Sequence, residues 1–398
     1  MKVLQINSVC GIRGTGRICT DIADILAQNG HDCKIAYGRE TVPEKYKKYA
    51  VRIGSDLSVK IDAIKSRIID NAGFNSVCAT KKFVKWIEEY NPDIIHLHNI
   101  HGYYLNVEIL FDYLKKSDKP VVWTLHDCWT FTGHCAYFDF VGCDKWLKGC
   151  EKCPQKHEYP ASLFADSSYK NYIRKKHIFT GVKNMTLLTP SNWLERQVNK
   201  SFLREYPVKV VNNGIDLSVF KPTESNFRQK HGLEHKKVVL GVASVWDRRK
   251  GLSDFLELSK MLDDSYRIVL VGLNKEQISN LPKNIIGLPR VLEASELAEI
   301  YSSADVFANL SVEETMGLTT VEALACGTSV VVYDRTAVPE VVDENTSIVV
   351  KHGDINALKT AVTSIQKQSA DCVERATHFD KNTRYNSILD TYLKLYES

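Results

Sequence analysis

Ser311–Gly327, SVEETMGLTTVEALACG, follows the apolar run Asp305-Val-Phe-Ala-Asn-Leu310 and precedes the β-branched run Thr328 to Tyr333. The run before it reads as a buried strand, and beyond Leu318 the apolar Val321, Leu324 and Ala325 recur at helical spacing. A strand, a short turn, a helix and another strand are the repeating unit of a mainly parallel α/β sheet. Glu314 falls in the turn and Glu322 about one helical turn into the helix, with Gly317 between them. If the helix begins near Gly317, the amides of Met316, Gly317 and Leu318 are its unpaired N-terminal donors. They face whatever anionic or polar group enters the turn. A carboxylate beside an anion site, with a second one turn below, suits a phosphorylated polyol such as a nucleotide sugar. A solvated acidic turn followed by a helix is the plain alternative.

The rest of the chain repeats this unit. With 398 residues it is too long for one ordinary core, so two domains are expected. Hydrophobic content of 44% and charged content of 25% are those of a soluble globular protein, and a net charge of +4 is too small to argue for nucleic acid. No run reaches the roughly 20 apolar residues that cross a bilayer, and Met1–Asn7 reads as a strand with no export signal after it. The expected location is therefore cytoplasmic, with the 11 cysteines as reduced thiols or metal ligands.

In the first half, strand Lys2 to Asn7 leads into a glycine-rich turn, Val9 to Arg17, and then a helix from Ile18 to Asn29. The turn reads G-x-x-G-x-G, with no acidic residue closing the next strand, and so departs from the dinucleotide fingerprint. Gly14, Gly16 and Arg17 are candidates for a cleft in which backbone approaches a ligand, with Arg13 or Arg17 near phosphate; a plain tight turn is the alternative. Residues 38 to 75 carry no clear pattern. Two later strands end in His98 and in His126-Asp127, where open α/β sheets place their ligands. Cys135, Cys143, Cys150 and Cys153 then crowd into one loop, with His134 and His157 as further donors. Two readings stand: a structural zinc that staples a loop with little core of its own, or a set of packed thiols. Tyr169 to Phe179 is basic with interleaved aromatic residues, either a solvated face or a helix lying against anionic lipid.

Asn212-Asn-Gly-Ile-Asp216 and Phe220-Lys-Pro222 mark a boundary, and a second doubly wound unit follows. Arg248, Arg249 and Lys250 form its one basic cluster beyond a strand end, suited to a leaving diphosphate whose charge grows as its bond breaks. No Asp-x-Asp occurs, so nothing supports a metal clamp on that diphosphate.

Written with its neighbours, the opening stretch is Glu314-x-x-Gly317-(four residues)-Glu322-Ala323-x-Ala325-x-Gly327. It resembles the E-x7-E signature of the retaining GT-B glycosyltransferases of family four, which build polysaccharides from nucleotide sugars. The segment NNGID with Phe220, the Thr124-x-His126-Asp127 segment and Lys250-Gly251 are similar to other parts of that pattern. Val245 stands where the family usually has an arginine, so Arg248 or Arg249 has to supply the second cation. The likeness covers nearly the whole chain and is most specific in residues 241 to 334. It extends to members that make bacterial surface polysaccharides.

The resemblance implies a GT-B fold, two doubly wound Rossmann-like α/β domains facing a cleft. Residues 1–211 would bind the acceptor and carry the cysteine-rich loop 128–157. Residues 212–380 would bind the nucleotide sugar, and residues 381–398 would form a helix crossing back to the first domain. It implies a retaining transfer of a hexose-type sugar from a UDP- or GDP-sugar to a glycan, with no cofactor for catalysis. The acceptor would be lipid-linked, at the inner face of a membrane, in the making of capsule, exopolysaccharide or O-antigen. Glu322 would hold the ribose, Glu314 with the amides of Met316, Gly317 and Leu318 the sugar, and Lys250 with Arg248 or Arg249 the diphosphate. His126 would orient the reacting sugar. A sugar-nucleotide epimerase of the same fold and a catalytically silent glycan-binding protein are the alternatives.

Overall fold

A computed structural model describes residues 1–397. The chain forms two compact units, Met1–Asn212 together with Arg384–Ser398, and Asn213–Thr383. In the first, β1 (Lys2–Asn7), β2 (Asp32–Tyr37), β3 (Ala50–Arg52), β4 (Ile94–Leu97), β5 (Val121–Thr124), β6 (Met185–Thr189) and β7 (Val208–Val210) form one sheet. Its order is β3-β2-β1-β4-β5-β6-β7, and every pairing is parallel. Helices cover both faces of such a sheet, which is why β4 and β5 are buried at every position and show no apolar–polar alternation. The last helix, Lys381–Glu397, returns to this unit. Its Tyr385, Ile388, Leu389 and Tyr392 enter the same core as Val3, Ile22, Leu26 and Ile35.

The second unit holds β8 (Lys237–Val242), β9 (Tyr266–Val271), β10 (Ile285–Leu288), β11 (Val306–Asn309), β12 (Val330–Tyr333) and β13 (Ser347–Val350). They are parallel throughout, in the order β10-β9-β8-β11-β12-β13. In each sheet the order of strands reverses once, between β1 and β4 and between β8 and β11. The carboxyl ends of those neighbours diverge and leave a crevice where ligands of such sheets bind.

Three expectations need correction. The glycine-rich turn is shorter than read from the sequence, because the helix begins at Arg13 and runs to Gln28. Gly14, Gly16 and Arg17 are therefore helical; Gly11, at φ +72°, makes the turn, and its N–H closes onto the Gly16 carbonyl at 3.0 Å. A Cβ on Gly16 would sit 3.0 Å from the Val9 side chain, so that glycine serves close packing of the helix on the turn that follows β1. Residues 38 to 75, unpatterned in sequence, contain β3 and a 14-residue helix, Asp56–Ile69. Finally, the basic helix Ser168–Phe179 is not basic on its surface alone. Lys175 is buried, donating to the carbonyls of Trp129 at 2.7 Å and Thr132 at 3.1 Å, and burial pushes its ammonium down to about 7.

Candidate functional site

The loops leaving β8 and β11 flank the switch point of the second sheet, and they carry Lys250 and Glu314. The Lys250 ammonium donates to the Glu314 carboxylate, with both side chains largely buried. Gly251 makes this pairing geometrically feasible. It caps the helix Leu252–Met261 at φ +74°, and a Cβ there would lie 2.4 Å from the Leu310 carbonyl oxygen. Only glycine lets the two loops approach so closely. The Val312 amide donates to the Arg249 carbonyl at 2.8 Å, which ties them together. Arg249 is held by Asp247 at 2.7 Å and by the Glu313 carbonyl at 3.2 Å, whereas Arg248 is exposed.

Burial alone would push the Glu314 carboxyl up, but Lys250, then Arg249, hold it below the usual glutamate range. Its backbone N–H donates to Thr336 Oγ1 at 2.9 Å, and Asn309 braces the turn by accepting from the Ser311 amide at 3.1 Å and donating to Thr320 at 2.9 Å. Gly317, at φ +95°, is the N-cap of the helix Leu318–Ala325. No side chain caps that end, so Met316, Gly317 and Leu318 surround a helix N-terminus with its positive dipole end. Glu322 lies in the second turn of the helix and accepts from the buried Tyr301 hydroxyl at 3.0 Å. Thr336 and Tyr301 carry no sequence signal, since they reach Glu314 and Glu322 from other segments, and Asn309, though it ends the strand before the turn, is a lone polar residue in an apolar run.

In the first unit, histidines gather beyond β4 and β5. Gln5 Nε2 donates to the Cys19 carbonyl at 2.8 Å, so its Oε1 accepts from His98 Nε2 at 3.0 Å. His98 thus carries its proton on Nε2, and its Nδ1 accepts from His126 Nε2 at 3.1 Å. Burial lowers the pKa of both rings, that of His126 to about 4, so both are neutral near pH 7. With its proton on Nε2, the acceptor nitrogen of His126 is Nδ1. The chain Gln5–His98–His126 thereby fixes which face of the imidazole can take a hydrogen bond. Beside it, His101 Nε2 lies 2.9 Å from Asp127 Oδ2. Burial would raise the Asp127 carboxyl, but His101 and the Trp129 amide hold it below its usual range. Gly14 has open space where a Cβ would be, Arg17 is exposed, and Arg13 is paired with Glu40 at 2.7 Å.

Cys135, Cys143, Cys150 and Cys153 line one cavity of about 10 Å³, room for a single ion or water. Gly133 brings its N–H to Cys150 Sγ at 3.1 Å, and Cys135 donates to Cys153, which lowers the Cys153 pKa. His134 Nδ1 lies 2.5 Å from the Asp70 carboxylate, while its buried Nε2 meets no hydrogen-bond partner among the described residues. His157 is exposed. Among the described residues no three His, Cys, Asp or Glu side chains already converge as an ion cage. The donor chemistry fits zinc, and the side-chain placement falls short of a closed site.

A sequence family described as "Glycosyltransferase Family 4" matches residues 12–219, and one described as "Glycosyl transferases group 1" matches residues 223–385. The chain is 25% identical over 230 residues to a putative colanic acid biosynthesis glycosyl transferase WcaC of Escherichia coli (strain K12), covering 55% of each. It is 28% identical over 205 residues to the processive diacylglycerol alpha-glucosyltransferase of Acholeplasma laidlawii, covering 45% of this chain and 61% of that one. The chain thus spans between half and two thirds of the length of these two relatives. Among solved structures, the sucrose-phosphate synthase of Thermosynechococcus elongatus superposes with a TM-score of 0.73 at 18% identity, over 100% of this chain and 99% of that one. Anabaena HepE in complex with UDP-glucose superposes with a TM-score of 0.67 at 15% identity, over 99% and 100%. At such identities the likeness is one of fold, and the fold is GT-B.

Proposed function

The chain belongs to glycosyltransferase family 4, and from that membership we propose that it moves a hexose-type sugar from a nucleotide sugar to a glycan acceptor with retention at the anomeric carbon. The observation that carries this reading is the meeting of Lys250, Glu314 and an uncapped helix N-terminus at the switch point of the second sheet. The amides of Met316, Gly317 and Leu318 and the Lys250 ammonium complement a diphosphate, and their charge is worth most as the leaving group gains negative charge. With Arg249 engaged by Asp247, the exposed Arg248 is assigned as the second cation. Once phosphate draws Lys250 away, the Glu314 carboxylate is available to sugar hydroxyls. Glu322, held from below by Tyr301, takes the ribose.

A UDP-sugar is favoured as donor because the similar HepE fold binds UDP-glucose. The anomeric carbon passes through an oxocarbenium-like state, and the leaving phosphate takes the acceptor's proton, so neither a carboxylate nucleophile nor a catalytic cofactor is assigned. Neutral His126 orients a hydroxyl of the reacting sugar. A lipid-linked acceptor in surface-polysaccharide assembly accords with WcaC and with the diacylglycerol glucosyltransferase. We also assign a structural zinc to Cys135, Cys143, Cys150 and Cys153, supported by their shared cavity and by the unpartnered His134 Nε2 nearby.

The test is transfer from UDP-hexoses by wild type, Glu314→Gln and Lys250→Ala. Each variant should lose at least about a hundredfold in kcat, the scale of removing one electrostatic stabiliser. Lys250→Ala should also weaken UDP binding in calorimetry. Near-normal turnover in both variants would overturn the site.

A further inference from the structure

The helix Asp56–Ile69 is built inside out. Its inward face is polar: Asp62 accepts from Ser66 at 3.0 Å, Asn75 at 3.0 Å and Ser76 at 2.5 Å, and both Asp62 and Ser66 are buried. Its outward face carries Leu57, Ile61, Ile64 and Ile68, spaced four, three and four residues apart and therefore stacked in one stripe. They are strongly exposed, Leu57 at 67% and Ile64 at 58%. The stripe widens at its C-terminal end. The amides of Leu163 and Ala165 donate to the carbonyls of Arg67 and Ile68 at 2.7 and 3.3 Å, satisfying the helix end and setting Leu163 and Phe164 beside it. Phe164 is 74% exposed. An aliphatic face of this extent in water marks a contact surface.

Charge selects the occupant. Lys60 and Arg67 border the stripe on one side and Lys65 on the other, all exposed. Of the two acids on the helix, Asp62 points inward and Asp56 is engaged by Arg52. A second copy docking by two-fold symmetry would set these cations against themselves. An anionic bilayer surface takes both features, the aliphatic face in the acyl boundary and the basic stems reaching headgroup phosphates.

We propose that the helix Asp56–Ile69, with Leu163 and Phe164, is an in-plane anchor that seats the first unit on an anionic lipid surface. This deepens the reading of a lipid-borne acceptor. The anchor is tested without turnover, so the two can fail separately. In flotation assays the full chain should bind phosphatidylcholine vesicles containing phosphatidylglycerol and bind pure phosphatidylcholine far less. Ile61→Gln/Ile64→Gln/Ile68→Gln should cut that partition by about tenfold or more, with circular dichroism and thermal midpoint unchanged because the stripe is exposed. Lys60→Glu/Lys65→Glu should abolish the preference for anionic lipid. A wild-type chain that stays unbound, or a triple variant that binds as wild type does, would sink the anchor. So would a wild-type dimer that the triple substitution converts to monomer, since the stripe would then be a self-contact.

Discussion

At the scale of single residues, ionisation is decided by neighbours that are remote in sequence. Glu314 is ionised because Lys250, 64 residues earlier, lies against it. His98 and His126 are neutral because burial disfavours their charged forms, neighbouring histidines add to it, and at His126 burial outweighs the Asp127 carboxylate. This has a pH consequence whose sign is fixed. Both histidines have folded pKa values below the ordinary value of about 6.5, so below that pH the unfolded state binds more protons. Their contribution to stability is complete above about pH 6.5 and is lost as pH falls toward about 4, the folded value of His126. The thermal midpoint of the first unit should therefore decline between pH 6.5 and 5, above the range where carboxylates titrate. His126→Gln should flatten that decline, and an equally steep profile in the variant would count against the neutral pair. Glu314, Glu322, His98 and His126 were all visible in the sequence, because strand-end and helix-start positions follow from local pattern. Gln5, which sets the histidine tautomers, was not. It is a polar residue within an apolar strand, and its role appears only when β1 lies beside β4.

At the scale of elements, legibility followed amphipathicity. The strand, turn and helix around Glu314 were read correctly because their apolar residues face inward at regular spacing. The helix Asp56–Ile69 also carries helical spacing, in Leu57, Ile61, Ile64 and Ile68, but that stripe faces outward over an inward polar network, so spacing alone does not give its packing. The early start of the helix Arg13–Gln28 is hidden in the sequence because two glycines in its first turn resemble a loop. The cysteine-rich segment sits between these cases. It contains only short 3-10 turns, at Trp129–Phe131, Asp139–Val141 and Lys145–Leu147, and leans on Lys175 and on aromatic contacts such as Phe138 with Trp146 at 4.8 Å. A metal held by four thiolates would add a cross-link to a segment so poor in regular structure. Protein purified without added metal should carry close to one zinc per chain by elemental analysis. Its removal by a chelator should expose the segment to proteolysis while the parallel sheets persist. Metal-free protein with an equally resistant loop would favour packed thiols.

At the scale of the whole chain, the C-terminal helix belongs to the unit that begins at Met1, although the preceding residues from Asn213 belong to the other. Tyr392 reaches the ring of the buried His96, and Lys209 Nζ bonds Thr391 at 2.9 Å. Deleting residues 384–398 removes Tyr385, Ile388, Leu389 and Tyr392 from the first core. At roughly 1.5–3 kcal/mol for each large buried apolar side chain, the loss rivals the 5–15 kcal/mol that typically holds a domain. The truncated chain should lose the thermal transition of the first unit while the second keeps its own. A first-unit transition within about two degrees of wild type would refute this assignment of the helix.

The amino-acid sequence by itself determined the class of fold, the division into two repeats and the turn around Glu314. Those features rest on local periodicity and on glycine at positions where the backbone must turn, and local pattern is written residue by residue. Only the tertiary structure decided that Lys250 meets Glu314, that Gln5 orients His126 through His98, and that an aliphatic stripe on the helix Asp56–Ile69 faces outward. Each depends on which strands become neighbours and on which face of a helix finds polar partners, and those are properties of the packed chain.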